Sequence, residues 1–68
     1  MKARYDKSVD AMYIELKEIK PRIVDKTISL NDDLMVDFDK DQKIIGIEIL
    51  NASKNIIKKE LETIKATC

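Results

Sequence analysis

The 68-residue sequence has few of the residues that usually stabilise or activate a small protein. It contains one cysteine, Cys68, and no histidine, so it cannot form an internal disulfide, and an ordinary structural zinc site is excluded. A domain of this size buries a modest fraction of its surface and is marginally stable without disulfides, metals or oligomerisation. Of these three aids, only oligomerisation is compatible with the composition.

An excess of charge and long apolar runs are also absent. The 13 basic residues balance the 13 acidic ones, whereas a duplex-binding domain normally carries a basic excess or a basic stripe. No apolar stretch approaches the roughly 18 residues that a membrane-spanning helix needs. We expect no secretion signal, and a lone thiol suits a reducing compartment. We therefore expect a cytoplasmic protein with no cofactor, no membrane association and no nucleic-acid partner.

Apolar and polar residues alternate through most of the first fifty positions. Period-two alternation places successive side chains on opposite faces of a strand. In the last predicted hairpin, matching the apolar faces pairs Phe38 with Ile45, Val36 with Ile47 and Leu34 with Ile49, because a slip by one residue would expose the isoleucines. The five predicted strands are Lys2–Tyr5, Ala11–Ile19, Lys26–Leu30 with Ile28 and Leu30 facing the core, and two strands on either side of a turn at Lys40–Lys43.

The period changes after residue 50. Ile57, Leu61 and Ile64 recur at i, i+4 and i+7, which is one face of a helix, and Asn51 or Ser53 is a suitable N-cap. Such a short helix is marginal alone in water, so we expect it to pack on the sheet, across Ile45, Ile47 and Ile49.

These patterns predict one α+β domain over residues 1–68. Its sheet, over about residues 2–50, is an antiparallel meander of about five strands. One C-terminal amphipathic helix, over about residues 53–66, packs on one face of that sheet.

Four acidic residues at the last hairpin have the spacing of a calcium-binding EF loop. Counted from Asp37, the residues Asp39, Asp41 and Glu48 stand at positions 3, 5 and 12 of such a loop. Position 6 of that loop requires a glycine for the sharp turn, and here it is Gln42. The flanking segments also alternate as strands rather than as helices. We therefore interpret these residues as a solvated hairpin, which leaves them weak metal candidates.

Catalytic residues are not predicted. A pair of catalytic carboxylates needs a pocket that separates the two pKa values, so Asp6 and Asp10 are better explained as caps of their own loop. The serines have no histidine base anywhere in the chain, and no nucleophile motif surrounds them. The chain is therefore predicted not to be an enzyme.

The outer face of the sheet is the most informative surface. One helix covers only one face, and the uncovered face of an antiparallel sheet is normally polar. Here that face is predicted to include several large apolar side chains among polar ones, and an apolar patch of this kind usually marks a protein interface. The predicted interface residues are Tyr13, Met35, Ile44 and Leu50.

Four segments resemble a known family of short prokaryotic proteins that is classed as a domain of unknown function. They are Tyr5-Asp6, Asp10–Tyr13, Val36–Asp39 and Gly46–Ser53, which follow the family pattern YD…DAxY…VDxDxxGxIVGIEILxAS. The pattern often has a glycine at the end of the tight turn, where this chain has Gln42. The resemblance implies a small antiparallel sheet with a helix and no established activity. The genes of proteins with this pattern are often found beside another small gene of toxin-like type, and the resemblance implies the same setting for this chain.

Three functional hypotheses follow. The first is a non-enzymatic protein-interaction module that self-associates, as a dimer, through the outer face or an edge strand. The second is an antitoxin-like protein that neutralises a small partner protein encoded nearby. The third is a small ligand- or metal-binding protein that uses the acidic hairpin.

Overall fold

A computed structural model of the chain describes residues 1–17 and 23–67. It confirms the α+β class and the five-stranded antiparallel sheet. The predicted end of the second strand, residues 18–19, and Cys68 lie outside the described residues. The elements are β1 (Lys2–Asp6), β2 (Ala11–Glu15), β3 (Lys26–Asn31), β4 (Leu34–Phe38), β5 (Ile44–Ile49), α1 (Ala52–Asn55) and α2 (Lys58–Thr67).

The strand order in the sheet is β1-β2-β5-β4-β3. The β1–β2 hairpin and the β3–β4–β5 meander are joined because β5 pairs with β2. The chain therefore crosses from the middle of the sheet to its far side between β2 and β3. Strands β1 and β3 form the two edges.

The predicted pairing of the last hairpin is correct along most of its length. Val36 faces Ile47 and Leu34 faces Ile49, as the alternation indicates. The exception is Phe38, which faces Ile44 rather than Ile45 because the register shifts between Asp37 and Phe38. A bulge of this kind inserts one residue and redirects a side chain. The inserted Ile45 is only 1% exposed, and its carbonyl accepts a hydrogen bond of 2.9 Å from the Leu16 N–H.

The hydrophobic core lies on the face of the sheet that carries the helices, called here the inner face. Tyr5 pairs with Met12 and Met12 pairs with Ile49, and residues paired across antiparallel strands share a face. Met12, Ala52 and Leu61 are buried there, and the partly buried residues that pack around them are Tyr5, Ile14, Ile49, Ile56 and Ile64. Helix α2 packs chiefly against β1, at one side of the sheet, rather than across the middle of β5.

Because α2 lies over β1, the opposite edge of the sheet is left uncovered. All six residues of β3 are exposed. Ile28 pairs with Val36 and so belongs to the inner face, yet it is 41% exposed, and Leu30 is 63% exposed. Ile28 therefore lies on the predicted face, but neither Ile28 nor Leu30 is buried. Helix α2, with 10 residues, is about 15 Å long, whereas the edge strands of a five-stranded sheet lie about 19 Å apart, so α2 leaves part of the sheet uncovered.

The helical region is divided into two helices instead of one. Ile56 ends α1 in an extended conformation, with φ −116° and ψ 138°, and α2 begins at Lys58. Leu61 is buried and Ile64 is packed against the core, as predicted, but Ile57 is 74% exposed. The break in the helix turns Ile57 away from the face that it would share with Leu61 in a continuous helix. No helix among the described residues is long and apolar enough to cross a membrane.

Candidate interaction surface

The outer face, opposite the helices, carries a hydrogen-bonded cluster that spans four strands. The Tyr13 hydroxyl on β2 donates to Asp37 Oδ2 on β4 at 2.5 Å. The Thr27 hydroxyl on β3 donates to the other carboxylate oxygen, Oδ1, at 2.5 Å. Both oxygens of Asp37 are therefore engaged, and the cluster ties β2 to β4 and β3 across the intervening β5.

Gly46 on β5 makes the Tyr13 contact possible. A Cβ atom at Gly46 would lie 2.6 Å from Tyr13 Cζ and 3.2 Å from Tyr13 Cε2, closer than carbon atoms approach without contact strain. The φ angle of Gly46 is not positive, so the position requires space rather than a left-handed backbone. The only glycine of the sequence therefore lies where a tyrosine ring crosses the sheet.

The Tyr13 hydroxyl is held in its neutral form. Burial raises its pKa well above the ordinary value, and the hydrogen bond to Asp37 and the negative charges of Asp37, Glu15 and Glu48 raise that pKa further. A phenol with such a pKa keeps its proton throughout the physiological range and acts as a hydrogen-bond donor. This group is suited to fixing the sheet rather than to acting as a nucleophile or a base.

The structure brings together two of the four predicted interface residues. Tyr13 and Met35 lie on either side of Glu48, each in register with it, and both are half-buried. Ile44 stands at the first position of β5 and is 49% exposed, but the bulge pairs it with Phe38, so it lies on the inner face with Val36 and not on the predicted outer face. Leu50 follows the last position of β5 and is half-buried. These two positions are about 20 Å apart along an extended strand, so Ile44 and Leu50 do not share one compact patch.

The acidic hairpin is organised around the carboxylate of Asp39. Its Oδ1 accepts the N–H groups of Asp41 at 2.9 Å and Lys43 at 3.0 Å. These two bonds, with the Lys43 bond the stronger influence, hold the pKa of Asp39 below its ordinary value, and the positive charges of Lys17 and Lys43 contribute as well. Gln42 has a φ of 62°, which is the left-handed conformation that a glycine adopts easily.

The four weak metal candidates do not converge. Asp37 is engaged by its tyrosine and threonine partners, and Asp39 binds the backbone of its own turn. Glu48 is paired with Met35 in the sheet, two positions along β5 from the Gly46 that faces Asp37. In the part of the chain that the structure describes, no three histidine, cysteine, aspartate or glutamate side chains are grouped to hold a metal ion.

A second cluster joins the β1–β2 loop to the start of α1. Asp10 Oδ1 accepts the Tyr5 hydroxyl at 2.6 Å and the Ser53 N–H at 3.1 Å, and Oδ2 accepts the Ser53 hydroxyl at 2.6 Å. The Asp10 carbonyl also accepts the Ala52 N–H at 2.8 Å. Asp10 has a φ of 52°, and this conformation directs both of its acceptor groups at the helix.

This cluster corrects the predicted roles of two residues. Asp6 caps its own loop as predicted, since it accepts the N–H and the hydroxyl of Ser8 at 2.9 and 2.6 Å. Asp10 instead caps α1, which begins 42 positions later in the chain. Asn51 occupies the N-cap position without a side-chain capping bond, and Ser53 lies within α1. Sequence reasoning missed this contact because local patterns carry no signal for so distant a pair.

The β3–β4 loop holds the same helix from the other side. Asp33 Oδ1 accepts the Asn51 side-chain amide at 2.8 Å, and Oδ2 accepts the Asn55 amide at 2.9 Å. The Asp33 carbonyl accepts the Leu50 N–H at 2.7 Å. The amide bonds, with that of Asn55 first, lower the pKa of Asp33. The carboxylates of Asp10 and Asp33, in two hairpin loops, thus hold α1 in place, and Ala52 of α1 is buried in the core.

The exposed strand β3, called here the β3 edge (Lys26–Asn31), completes the candidate surface. On the outer face it adjoins Met35, which pairs with Ser29. The first residue of β3 is Lys26, whose ammonium group lies 5.6 Å from the centre of the Phe38 ring, within range of a cation–π interaction. The surface therefore combines an open strand edge, two exposed aliphatic side chains and one half-buried methionine.

Comparisons with known proteins agree with the sequence resemblance. The chain is 40% identical over 63 residues to an uncharacterized protein of Methanocaldococcus jannaschii. The matched region covers 90% of this chain and 51% of that protein. The chain thus spans about half the length of the curated relative it matches. No solved structure matches it significantly. Residues 2–53, which contain the whole sheet and both carboxylate clusters, match the family described as "Protein of unknown function (DUF2283)", and the chain belongs to that family.

Proposed function

We propose that the chain is a non-enzymatic protein-interaction module that self-associates through the β3 edge and the adjoining outer face. The single observation that carries this proposal is that all six residues of β3, at the open edge of the sheet, are exposed. An edge strand presents a row of backbone N–H and C=O groups that are free to pair with another strand. Protein modules commonly bind extended segments in this way.

The side chains of β3 support the same proposal. Monomeric proteins protect an exposed edge with a central lysine, a proline or a bulge. Here the lysine stands at the first position and the bulge lies near the end, between Ser29 and Asn31. The middle of the strand carries Ile28, which is 41% exposed, followed by Leu30, which is 63% exposed. An antiparallel copy of β3 would cover both side chains and continue the sheet.

Met35 is the outer-face residue best placed to extend this contact. It lies beside Ser29 of β3 and is half-buried. Tyr13 lies farther from this edge, across Glu48, and its hydroxyl is already bonded to Asp37. Leu50, at the end of β5, would contribute at the margin of a contact that extends over the outer face, whereas Ile44 pairs with Phe38 on the inner face and would not take part.

The proposal is tested by measuring the mass of the chain in solution. Size-exclusion chromatography with light scattering, in the presence of a reductant and at two concentrations, should give a dimer for the natural sequence. Ile28→Lys should give a monomer, because an edge lysine opposes strand pairing. Val9→Lys is the matched control, since Val9 is 65% exposed but lies in the β1–β2 loop, and it should remain a dimer.

Two results would contradict the proposal. The first is a dimer of unchanged mass for Ile28→Lys. The second is a monomer for the natural sequence at both concentrations. In that case, the antitoxin-like alternative predicts a stable complex when the chain is co-expressed with the small protein encoded by the neighbouring gene, and Ile28→Lys should weaken that complex.

A further inference from the structure

We infer that α2 is an exchangeable element, which leaves its own sheet and packs on the same surface of a second copy to give a domain-swapped dimer. This inference goes beyond the proposed β3 contact and concerns the other side of the molecule. It rests on the junction between α1 and α2, on the exposed Ile57 and on the apolar contact between α2 and the inner face.

The junction lacks the residues that ordinarily break a helix. Helices usually end or kink at glycine or proline, and residues 55–58 contain neither. The helical hydrogen bonds stop after Ile56 N–H to the Ala52 carbonyl, at 2.9 Å, and resume with Leu61 N–H to the Ile57 carbonyl, at 3.0 Å. Two features accompany the break: the Asn55 amide donates to the Leu50 and Asn51 carbonyls, and Leu61 is buried on the sheet beyond it.

The bent junction leaves Ile57 in an unfavourable position. Ile57 immediately precedes α2 and its carbonyl accepts the first bond of that helix, so it occupies the N-cap position. Isoleucine is among the poorest N-caps because it has no side-chain acceptor. Its aliphatic side chain is 74% exposed. In a straight helix, the N–H groups of residues 57–60 would instead pair with the carbonyls of residues 53–56.

A straight helix would also restore the apolar stripe that the sequence encodes. Ile57, Leu61 and Ile64 would lie on one face of a helix that runs from residue 52 to residue 67 and is about 24 Å long. The start of this helix stays fixed by Asp10 and Asp33. Straightening therefore carries Leu61 away from the Met12 of its own chain and exposes both side chains.

A second copy of the chain is the occupant that fits both exposed surfaces. The inner face around Met12 already accommodates Leu61 within one chain, so the α2 of another copy finds the same complementary contacts there. Reciprocal exchange buries both stripes and closes with two-fold symmetry. Short connections between elements favour such exchange, and two residues separate α1 from α2.

The test uses the Ile28→Lys chain, so that β3 pairing and helix exchange are separated. The chain is unfolded in urea and refolded at either low or high concentration, and both samples are then diluted and examined by light scattering. We expect a monomer from the dilute sample and, from the concentrated sample, a dimer that persists after dilution. Refolding a mixture of ¹³C-labelled and unlabelled chains should then give isotope-filtered NOEs between the methyl groups of Met12 and Leu61 on different chains.

Lys58→Pro provides the discriminating variant. Proline is well tolerated at the first position of a helix, so the bent monomer should form with an unchanged fold. In a straight helix the same proline would be internal and would break it. Lys58→Pro, made in the Ile28→Lys chain, should therefore stay monomeric after concentrated refolding. The matched Lys58→Ala variant should still form the dimer.

Three results would overturn helix exchange. They are the absence of a persistent dimer after concentrated refolding, a dimer in which the Met12–Leu61 contacts occur only within one chain, and equal amounts of dimer for Lys58→Pro and Lys58→Ala. Failure of the β3 proposal is recognised separately in samples refolded at low concentration, where the natural sequence would then be monomeric or Ile28→Lys would be dimeric.

Discussion

The ring of Tyr13 on β2 crosses Gly46 on β5, and its hydroxyl reaches Asp37 on β4. This relationship links two segments that the sequence resemblance singles out, Asp10–Tyr13 and Gly46–Ser53. It explains why a glycine occupies the middle of a central strand, where the residue costs stability unless a close approach requires it.

The first prediction follows from the space between these two residues. Gly46→Ala should destabilise the fold by about 1–3 kcal/mol, as overpacking does, because the new Cβ would overlap the Tyr13 ring. The cost should shrink when Tyr13→Ala is combined with it, since the obstructing ring is then gone. Urea unfolding of the two single variants and the double variant measures this coupling. Additive free energies of unfolding would show that the two side chains do not compete for the same space.

The second prediction concerns the attachment of α1. Asp10→Ala should lower the free energy of unfolding by about 1–2 kcal/mol, the usual cost of losing a helix cap, because the Ser53 N–H and hydroxyl both lose their acceptor. Asp6→Ala is the matched control, since Asp6 accepts the N–H and the hydroxyl of Ser8 in its own loop and does not cap α1, and it should cost less. The prediction would be contradicted if both substitutions had the same effect on urea unfolding.

Comparison of the sequence with the structure shows which features local patterns carry. Period-two alternation was enough to predict the Val36–Ile47 and Leu34–Ile49 pairs, because each face of a strand has its own composition. The same alternation gave no sign of the bulge at Ile45, since an inserted residue that stays apolar does not interrupt an apolar run. The antiparallel sheet was predictable, whereas the local departure from its register was not.

The parts of the candidate surface that could not be predicted depend on long-range packing. The exposure of Ile28 follows from where α2 lies, and α2 is held on β1 by the packing of Leu61 and Ile64 against the core. The bond between Asp10 and Ser53, 43 positions apart, places α1. The helix break at Ile56 is likewise not marked by a glycine or a proline, since residues 55–58 contain neither. Local periodicity identifies the apolar residues but does not say which of them the second layer covers.

The third prediction concerns the tight turn before β5. Gln42 has a positive φ of 62°, a conformation that costs about 1–2 kcal/mol for a residue with a side chain. A glycine adopts it without that cost, but it makes the unfolded chain more flexible, which lowers stability by about 0.5–1 kcal/mol. Gln42→Gly should therefore stabilise the protein slightly, by up to about 1 kcal/mol. Lys40→Gly, in the same turn and without a positive φ, should destabilise it. A loss of stability in both variants, measured by urea unfolding, would refute the prediction.

The last prediction concerns the acid limb of the stability curve. The pKa values of Asp33 and Asp39 are lowered in the folded chain, by the amides of Asn55 and Asn51 in the first case and chiefly by the N–H of Lys43 in the second. A carboxyl whose folded pKa is depressed stabilises the fold above its unfolded pKa of about 4, and this contribution disappears as the pH falls through the folded value.

Stability should therefore be nearly constant from about pH 7 to pH 5 and should fall between about pH 5 and pH 2. Urea unfolding followed by circular dichroism at each pH gives the curve. Asp39→Asn should flatten its acid limb, because the amide does not titrate, while the region above about pH 5 serves as the internal control. An unchanged acid slope in Asp39→Asn would mean that the hydrogen bonds from Asp41 and Lys43 do not favour the ionised carboxylate.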